Sequence, residues 1–419
     1  MSSTRIEHVT CLGCGCGCDD ITVTVRDGRI LEISPPCPVG RAWFGDGSVP
    51  WEVLRDGRPA VLEEALSAAA DLLLRSRGRV LVCIGPDLST QAQAEALALA
   101  DLLQATVDTA TSDTAAAGLL AAQRRGRATA TLGEIRNRAD AVIFWATDPA
   151  RRYPRFYSRY APEPVGIQVP DGRRSRFVIA VNIGAEKGPA GADLTVVLEP
   201  ADEIAALSLM RAALLDRRPA ELSPGLQQAV EIVTRLKEAR YVVLVHDAEP
   251  ADEPRNPLRV EGLISLAQAL NGPTRAALCS LRAGGNRVGA ESVLTWQTGY
   301  PFGVNLARGI PEYAPGDRGL QSLGTGKFGA ALVVGTPDFD KRALSKLGDT
   351  VVIGPRASQS PFQARVAIDT GVAGIHEGGT GYRMDEVPLG LRPPLTTRRP
   401  AVEMLRALGA RLREGEKRP

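Results

Sequence analysis

Histidine is scarce in this chain: His8, His246 and His376 are the only three in 419 residues. No H-x-H pair occurs, so the sequence offers no hydrolytic site of the kind that holds a metal between paired imidazoles. Aromatic residues make up 5%, too few for base-stacking platforms. A surplus of positive charge is missing too. Fifty basic residues face 48 acidic ones, for a formal net charge of +2, so nothing drives binding to a phosphate backbone. No uncharged apolar run approaches the roughly 20 residues of a membrane span. The opening MSSTRIEHVT lacks a signal-peptide core, so no nucleic-acid or membrane partner and a cytoplasmic location are expected. An odd count of seven cysteines does not suggest a disulfide framework.

What is present begins with those cysteines. Five fall between Cys11 and Cys37; Cys83 and Cys279 sit in apolar surroundings as small buried hydrophobes. Cys11, Cys14, Cys18 and Cys37 form C-x2-C-x3-C-x18-C, with Cys16 surplus or able to replace Cys14 or Cys18. Glycines between close thiolates let the backbone wrap a cluster and leave amides to bond sulfur, which suits 4Fe–4S. A zinc site or an empty cysteine loop fits the same pattern. Alternating apolar residues in DDITVTVRDGRILEIS predict two strands joined at Asp27-Gly28, so residues 1–50 read as a small β module.

Beyond it, helical runs such as LEEALSAAADLLLRS alternate with apolar strands: VLVCIG, AVIFWA, FVIAVN, LTVVLE, YVVLVHD, ALVVGT, TVVIGP and VAID. Strands buried on both faces and separated by helices predict a parallel α/β architecture, with ligands beyond the carboxyl ends of strands. We divide it into 51–270, two interleaved subdomains, and 271–419, with Gly-rich loops. AVIFWATDPARR and ALVVGTPDFDKR form a weak internal repeat, each a strand, a Thr/Asp/Pro loop and a basic helix start. Such a loop is equally an ordinary capped βα turn. Residues 271–309 and 374–388 are Gly-rich with few predicted elements. Arg155, Arg159, Arg282 and Arg308 are candidates to meet carboxylates or phosphates, or to form surface ion pairs. His376-Glu377 and His246-Asp247 read as loop and strand-end histidines satisfied locally. Trp296 and Tyr300 read as packing anchors.

Taken together, CLGCGCGCDDITV, TATSD, WATDPARRYPRFYSRY, NGPTRAAL, VLTWQTGYPFGVNLARG and EGGTGYRMDEVPL resemble the B subunit of formylmethanofuran dehydrogenase, over nearly the whole chain. The resemblance implies Rossmann-like parallel α/β domains of the molybdopterin oxidoreductase type behind a cysteine-cluster β module. In redox-active members it implies a tungsten or molybdenum bis-pterin guanine dinucleotide and one 4Fe–4S cluster.

The metal site departs from that pattern. Active members resemble T-S-S-V-C-H-G where this chain has Thr111, Ser112, Asp113, Thr114, Ala115, Ala116 and Ala117. Ala115 stands for the metal ligand and Ala116 for the histidine. The family's N-P-A-E-x-H-P-R-H is similar to Asp148–Phe156, with Tyr153 and Phe156 for its histidines. A methyl group neither donates a lone pair to a metal nor moves a proton. The resemblance then implies the non-catalytic B subunit of a formyltransferase/hydrolase complex. That assembly passes a formyl group from tetrahydromethanopterin to a methanofuran-type carrier and releases formate. Its partners would be amidohydrolase-like A, C and formyltransferase D subunits; the cluster is retained at Cys11, Cys14, Cys18 and Cys37, and the metal pterin is absent. The alternative is an active tungsten or molybdenum protein of the dehydrogenase, with Gly335, Thr336 and Asp338 kept for nucleotide contacts.

Overall fold

A computed structural model describes residues 3–217, 221–249, 258–313, 315, 319–323, 325–336 and 347–417. They fall into two compact units. One comprises Met1–Asp113 with Gly284–Pro419, the other Thr114–Ala283.

In the first unit, β1 (Thr4–Cys11), β2 (Cys18–Arg26) and β3 (Arg29–Ser34) make an antiparallel sheet. Asp27 and Gly28 join the last two at φ 52° and 72°, as a tight right-twisting hairpin requires. Four further strands follow: β4 (Val53–Arg55), β5 (Arg58–Pro59), β6 (Val80–Ile84) and β7 (Thr106–Thr109).

The second unit holds β8 (Ala141–Trp145), β9 (Phe177–Ile183), β10 (Leu194–Leu198), β11 (Tyr241–Asp247) and β12 (Arg275–Leu281). They are parallel throughout, in the order β10-β9-β8-β11-β12. β8 and β11 are wholly buried because both faces are covered, which is why they read as unbroken apolar runs.

Back in the first unit, β13 (Val304–Asn305), β14 (Glu312–Tyr313), β15 (Ala330–Val334), β16 (Thr350–Gly354) and β17 (Val366–Asp369) complete a nine-stranded sheet. Its order is β14-β13-β7-β6-β15-β16-β17-β4-β5. The central five strands are parallel and the flanking pairs antiparallel. β18 (Gly379–Tyr382) and β19 (Pro388–Leu391) form a separate hairpin.

Helices Leu62–Arg75, Thr90–Leu102 and Ala401–Glu416 cover the large sheet with Leu66, Leu73, Leu97, Leu405 and Leu408. Burying each such side chain is worth about 1.5–3 kcal/mol. No described helix is long and apolar enough to cross a membrane.

These units do not coincide with segments 1–50, 51–270 and 271–419. The reason is strand pairing. β15 lies between β6 and β16, so residues from both ends of the chain build one sheet. Residues 114–283 interrupt it and fold around their own sheet. The glycine-rich stretches also hold more regular structure than composition predicts. β12 and helix Arg287–Thr298 lie within 271–309, and the β18–β19 hairpin begins within 374–388.

Candidate functional site

The cysteine loop lies between two paired strands. Cys11 ends β1, Cys18 begins β2, and the two are register partners. Gly17, at φ 50°, turns the loop and donates its N–H to the Cys14 carbonyl at 3.2 Å. Cys37 stands at the N-cap of helix Pro38–Phe44. Two glycines let this helix approach. A Cβ on Gly13 would sit 2.9 Å from Trp43 Cβ, and one on Gly40 would sit 3.6 Å from Cys11 Sγ and 3.7 Å from Cys37 Cβ. Gly13 also donates its N–H to Cys11 Sγ at 3.4 Å.

Burial pushes the Cys11 thiol far above its ordinary range, opposed by the Gly13 N–H and reinforced by Cys14, Cys18 and Cys37. Cys14, Cys18 and Cys37 each lie close enough to Cys11 to act on its charge. Among the described residues, no group of three or more His, Cys, Asp or Glu could hold a single metal ion. A four-iron cluster asks for something different. It takes four thiolates around a larger body and N–H donors on sulfur; the chain offers three thiols that act on Cys11 and the Gly13 N–H on the Cys11 sulfur.

The stretch that resembles a metal loop leaves the carboxyl end of β7. Asp108, 2% exposed, is its hub. Its carboxylate accepts from Thr109 N (2.8 Å), Ser112 Oγ (3.0 Å), Gly303 N (3.1 Å) and Leu320 N (2.8 Å). Burial nevertheless raises it to about 6. Thr111 Oγ1 donates to Glu291 at 2.6 Å. Both ties belong to the first unit, and the stretch passes to the second at 113/114.

There Ala115 is 4% exposed and stands at the N-cap of helix Ala116–Arg125, with no side-chain cap. Ala116 is half-buried. Gly118, on the same helix, meets Val260 of helix Leu258–Leu270.

Tyr153 and Phe156 are 1% and 0% exposed. Asp148 caps the turn Pro149–Arg152 through Ala150 N at 2.9 Å. Tyr153 then faces the end of β11, donating its hydroxyl to Asp247 Oδ1 at 3.3 Å. Arg152 binds the same carboxylate. Phe156 packs edge-on against Phe144 and Tyr160, their centroids 6.3 and 6.1 Å away. His246 meets Ser280 Oγ at 2.8 Å.

Of the candidate arginines, Arg282 is buried in an ion pair with Glu249, and Arg308 pairs with Glu312 at 2.7 Å. Arg159 lies over Tyr160, 5.4 Å from its centroid, and Arg155 is half-buried at the start of the turn Phe156–Arg159. Arg308 belongs to the first unit and the other three to the second.

At the carboxyl ends of β6, β15 and β16 the backbones crowd. A Cβ on Gly354 would sit 2.5 Å from Gly335 Cα, and one on Gly335 would sit 2.4 Å from Asp87 Oδ1. Thr336 N donates to both Asp87 oxygens at 2.9 and 3.0 Å. The amide in the expected nucleotide set is thus already engaged. Burial lifts Asp87 to about 6, against the bonds from Thr336. Asp338 lies outside the described residues.

His376 shows backbone satisfaction. Nε2 donates to Gly47 O at 2.8 Å and Nδ1 accepts from Val372 N at 3.2 Å, while burial lowers its pKa. Glu377 accepts from Ala401 N at 2.8 Å, where helix Ala401–Glu416 begins. His8 lies exposed at a bulge in β1. Tyr300 stacks on Tyr313 at 4.6 Å, whereas Trp296 is 62% exposed and meets Tyr382 edge-on.

Two organising residues were not singled out in the sequence. One is Asp108, whose only signal is a carboxylate at the end of an otherwise buried strand. The other is Asn286, which donates to Leu88 O, Thr90 Oγ1 and Gln93 Oε1, each at 3.1 Å, and accepts from Tyr382 N at 2.7 Å.

The fold is similar to that of a chain in the X-ray crystal structure of the formyltransferase/hydrolase complex from Methylorubrum extorquens in complex with methylofuran. The TM-score is 0.73 at 24% identity, covering 87% of this chain and 99% of that one. At that identity the likeness shows the fold. No family model matches. The B subunit of tungsten-containing formylmethanofuran dehydrogenase 2 from Methanocaldococcus jannaschii is 30% identical over 410 residues, 92% of this chain and 93% of the relative. The Methanococcus maripaludis protein of the same name is 29% identical over 404 residues, 92% of this chain and 93% of the relative. The B subunit of the formyltransferase/hydrolase complex Fhc from Methylorubrum extorquens is 25% identical over 327 residues, 77% of this chain and 86% of the relative. The chain belongs to the family of formylmethanofuran dehydrogenase B subunits.

Proposed function

We propose that this chain is the non-catalytic B subunit of a formyltransferase/hydrolase complex in one-carbon metabolism. The complex would carry a formyl group from tetrahydromethanopterin to a methanofuran-type carrier and release formate. The observation that supports this is Ala115, a buried methyl where the family resemblance puts the metal ligand. Ala116 offers no proton either. Tyr153 and Phe156 fill the other two imidazole positions with side chains committed to Asp247 and to an aromatic cluster. The chain's own role is then to hold the amidohydrolase-like A, C and formyltransferase D subunits and to border the path of the carrier, in the cytoplasm.

A 4Fe–4S cluster would be held by Cys11, Cys14, Cys18 and Cys37, and when bound it would supply one-electron transfer or a structural staple. Gly13 would keep its N–H on the Cys11 sulfur. A tungsten or molybdenum bis-pterin guanine dinucleotide is proposed to be absent.

One observation favours the alternative, an active tungsten or molybdenum protein of the dehydrogenase. Identity is higher to the tungsten-containing relative, at 30%, than to the formyltransferase/hydrolase relative, at 25%.

Elemental analysis of the anaerobically purified complex separates the two. Iron in cluster stoichiometry with neither tungsten nor molybdenum supports the proposal. Stoichiometric tungsten or molybdenum, with formate-dependent dye reduction, overturns it.

A further inference from the structure

A cavity of about 740 Å³ opens in the second unit where β8 and β9 begin, at the end opposite the strands' carboxyl termini. That volume falls within the roughly 300–1,000 Å³ of small-molecule sites. Its wall carries Arg173, Arg174, Arg176 and Arg235. Three acidic groups share the wall, and each has a partner other than Arg174 and Arg176. Asp140 accepts from Arg240 Nε at 3.1 Å and from Tyr241 N at 2.8 Å. Asp193 takes Arg173 Nη2 at 2.8 Å and Val178 N at 2.7 Å. Glu238 touches Arg235 only at 4.0 Å, both ends well exposed, which is a weak pair.

Among the described residues, these pairings leave Arg174 and Arg176 without a carboxylate partner and Arg235 with a weak one. Arg176 is 3% exposed, and its guanidinium donates only to carbonyls: Ala139 O (3.1 Å), Pro162 O (2.9 Å), Pro164 O (2.6 Å) and Arg136 O (2.6 Å). Carbonyl dipoles hold the group in place but do not neutralise it, and a buried charge is costly without a counter-charge. Burial pulls Arg176 down to about 10. Arg174 is exposed. No carboxylate pairs with Arg174 or Arg176 among the described residues. Arg235 lies over the Phe177 ring, 5.9 Å from its centroid, which steadies a long side chain at the rim.

We infer that this cavity is a binding site for an oxyanion of two or more charges, a polyphosphate or a chain of carboxylates. Arg174 and Arg235 supply the bidentate forks, and the fixed charge of Arg176 supplies the field behind them. The inference does not rest on the proposed function.

The test uses the full-length chain, titrated calorimetrically at low salt with sodium tripolyphosphate and, separately, with a pentaglutamate peptide. Saturable one-site binding of either probe is expected, weakened at least about tenfold in R174S/R235S and by raised salt. Binding of tripolyphosphate alone assigns phosphate; binding of pentaglutamate alone assigns a carboxylate chain. Both variant positions are exposed, and unchanged circular dichroism melting checks the fold. R211S/R217S, which removes two arginines from another surface of the same unit, should bind as the parent does. Equal weakening in both double variants would make the effect general charge and overturn the site. So would the absence of binding by the parent to both probes.

Discussion

The carboxylate of Asp108 accepts the main-chain N–H of Leu320 at 2.8 Å, joining the end of β7 to a turn 212 residues later. The turn fits because its first residue is glycine. A Cβ on Gly319 would fall 2.2 Å from Asp108 Oδ2, and its φ is 127°. Gly319→Ala should therefore cost roughly 1–3 kcal/mol from overpacking, with backbone strain added. Asp108→Ala should cost a similar amount by leaving buried N–H groups without an acceptor. Urea unfolding of both variants and of the double variant checks this. The two losses should be strongly non-additive, since the alanine methyl at 319 clashes only with the carboxylate.

Glu377 predicts a pH dependence. Burial raises its carboxyl to about 8 from the usual 4.5, over the opposing Ala401 and Gly371 N–H groups and with help from Asp87 and Glu403. The folded chain thus holds this proton more tightly than the unfolded chain does. The stabilisation is complete below about pH 4.5 and is lost as pH rises through about 8. Glu377→Gln keeps an oxygen for Ala401 N and removes the charge. Stability measured at pH 5 and at pH 8 should fall less between them in this variant than in the parent; equal slopes would rule the assignment out.

The cysteine loop predicts an asymmetry between neighbours. On the proposed ligand set, Cys11→Ser should abolish cluster absorbance and iron in the anaerobically purified complex, because Cys11 is the thiol on which Cys14, Cys18 and Cys37 all act. Cys16→Ser should leave iron content unchanged. Full iron in the Cys11 variant, or its loss in the Cys16 variant, would reassign the ligands.

In the second unit Arg259 meets Glu203, and Glu186 at 2.6 Å, while Trp145 Nε1 donates to Glu203 at 2.8 Å. Arg259→Met removes the cation and leaves two carboxylates together, one of them buried. The loss should be roughly 3–5 kcal/mol by urea unfolding, and the companion Glu203→Gln should relieve part of it. A neutral result would show that water reaches the pair.

Much of this was legible in the chain itself. Apolar runs such as Ala141–Trp145 and Thr350–Gly354 announced parallel strands because a strand covered on both faces has no polar side to show. Asp27-Gly28 announced a hairpin because the turn needs two positive φ angles. The alanines at 115 and 116 are sequence facts, and their chemical silence follows from having only a methyl group. Tertiary structure alone decided the rest. Strand order joins β6 to β15 across an inserted unit, and periodicity within a strand carries no information about its distant neighbour. Asp108, Asn286 and Glu377 look like ordinary polar residues until packing takes water from them and backbone amides take its place. The same is true of Arg176, whose lack of a carboxylate partner depends on which carbonyls the fold brings around it.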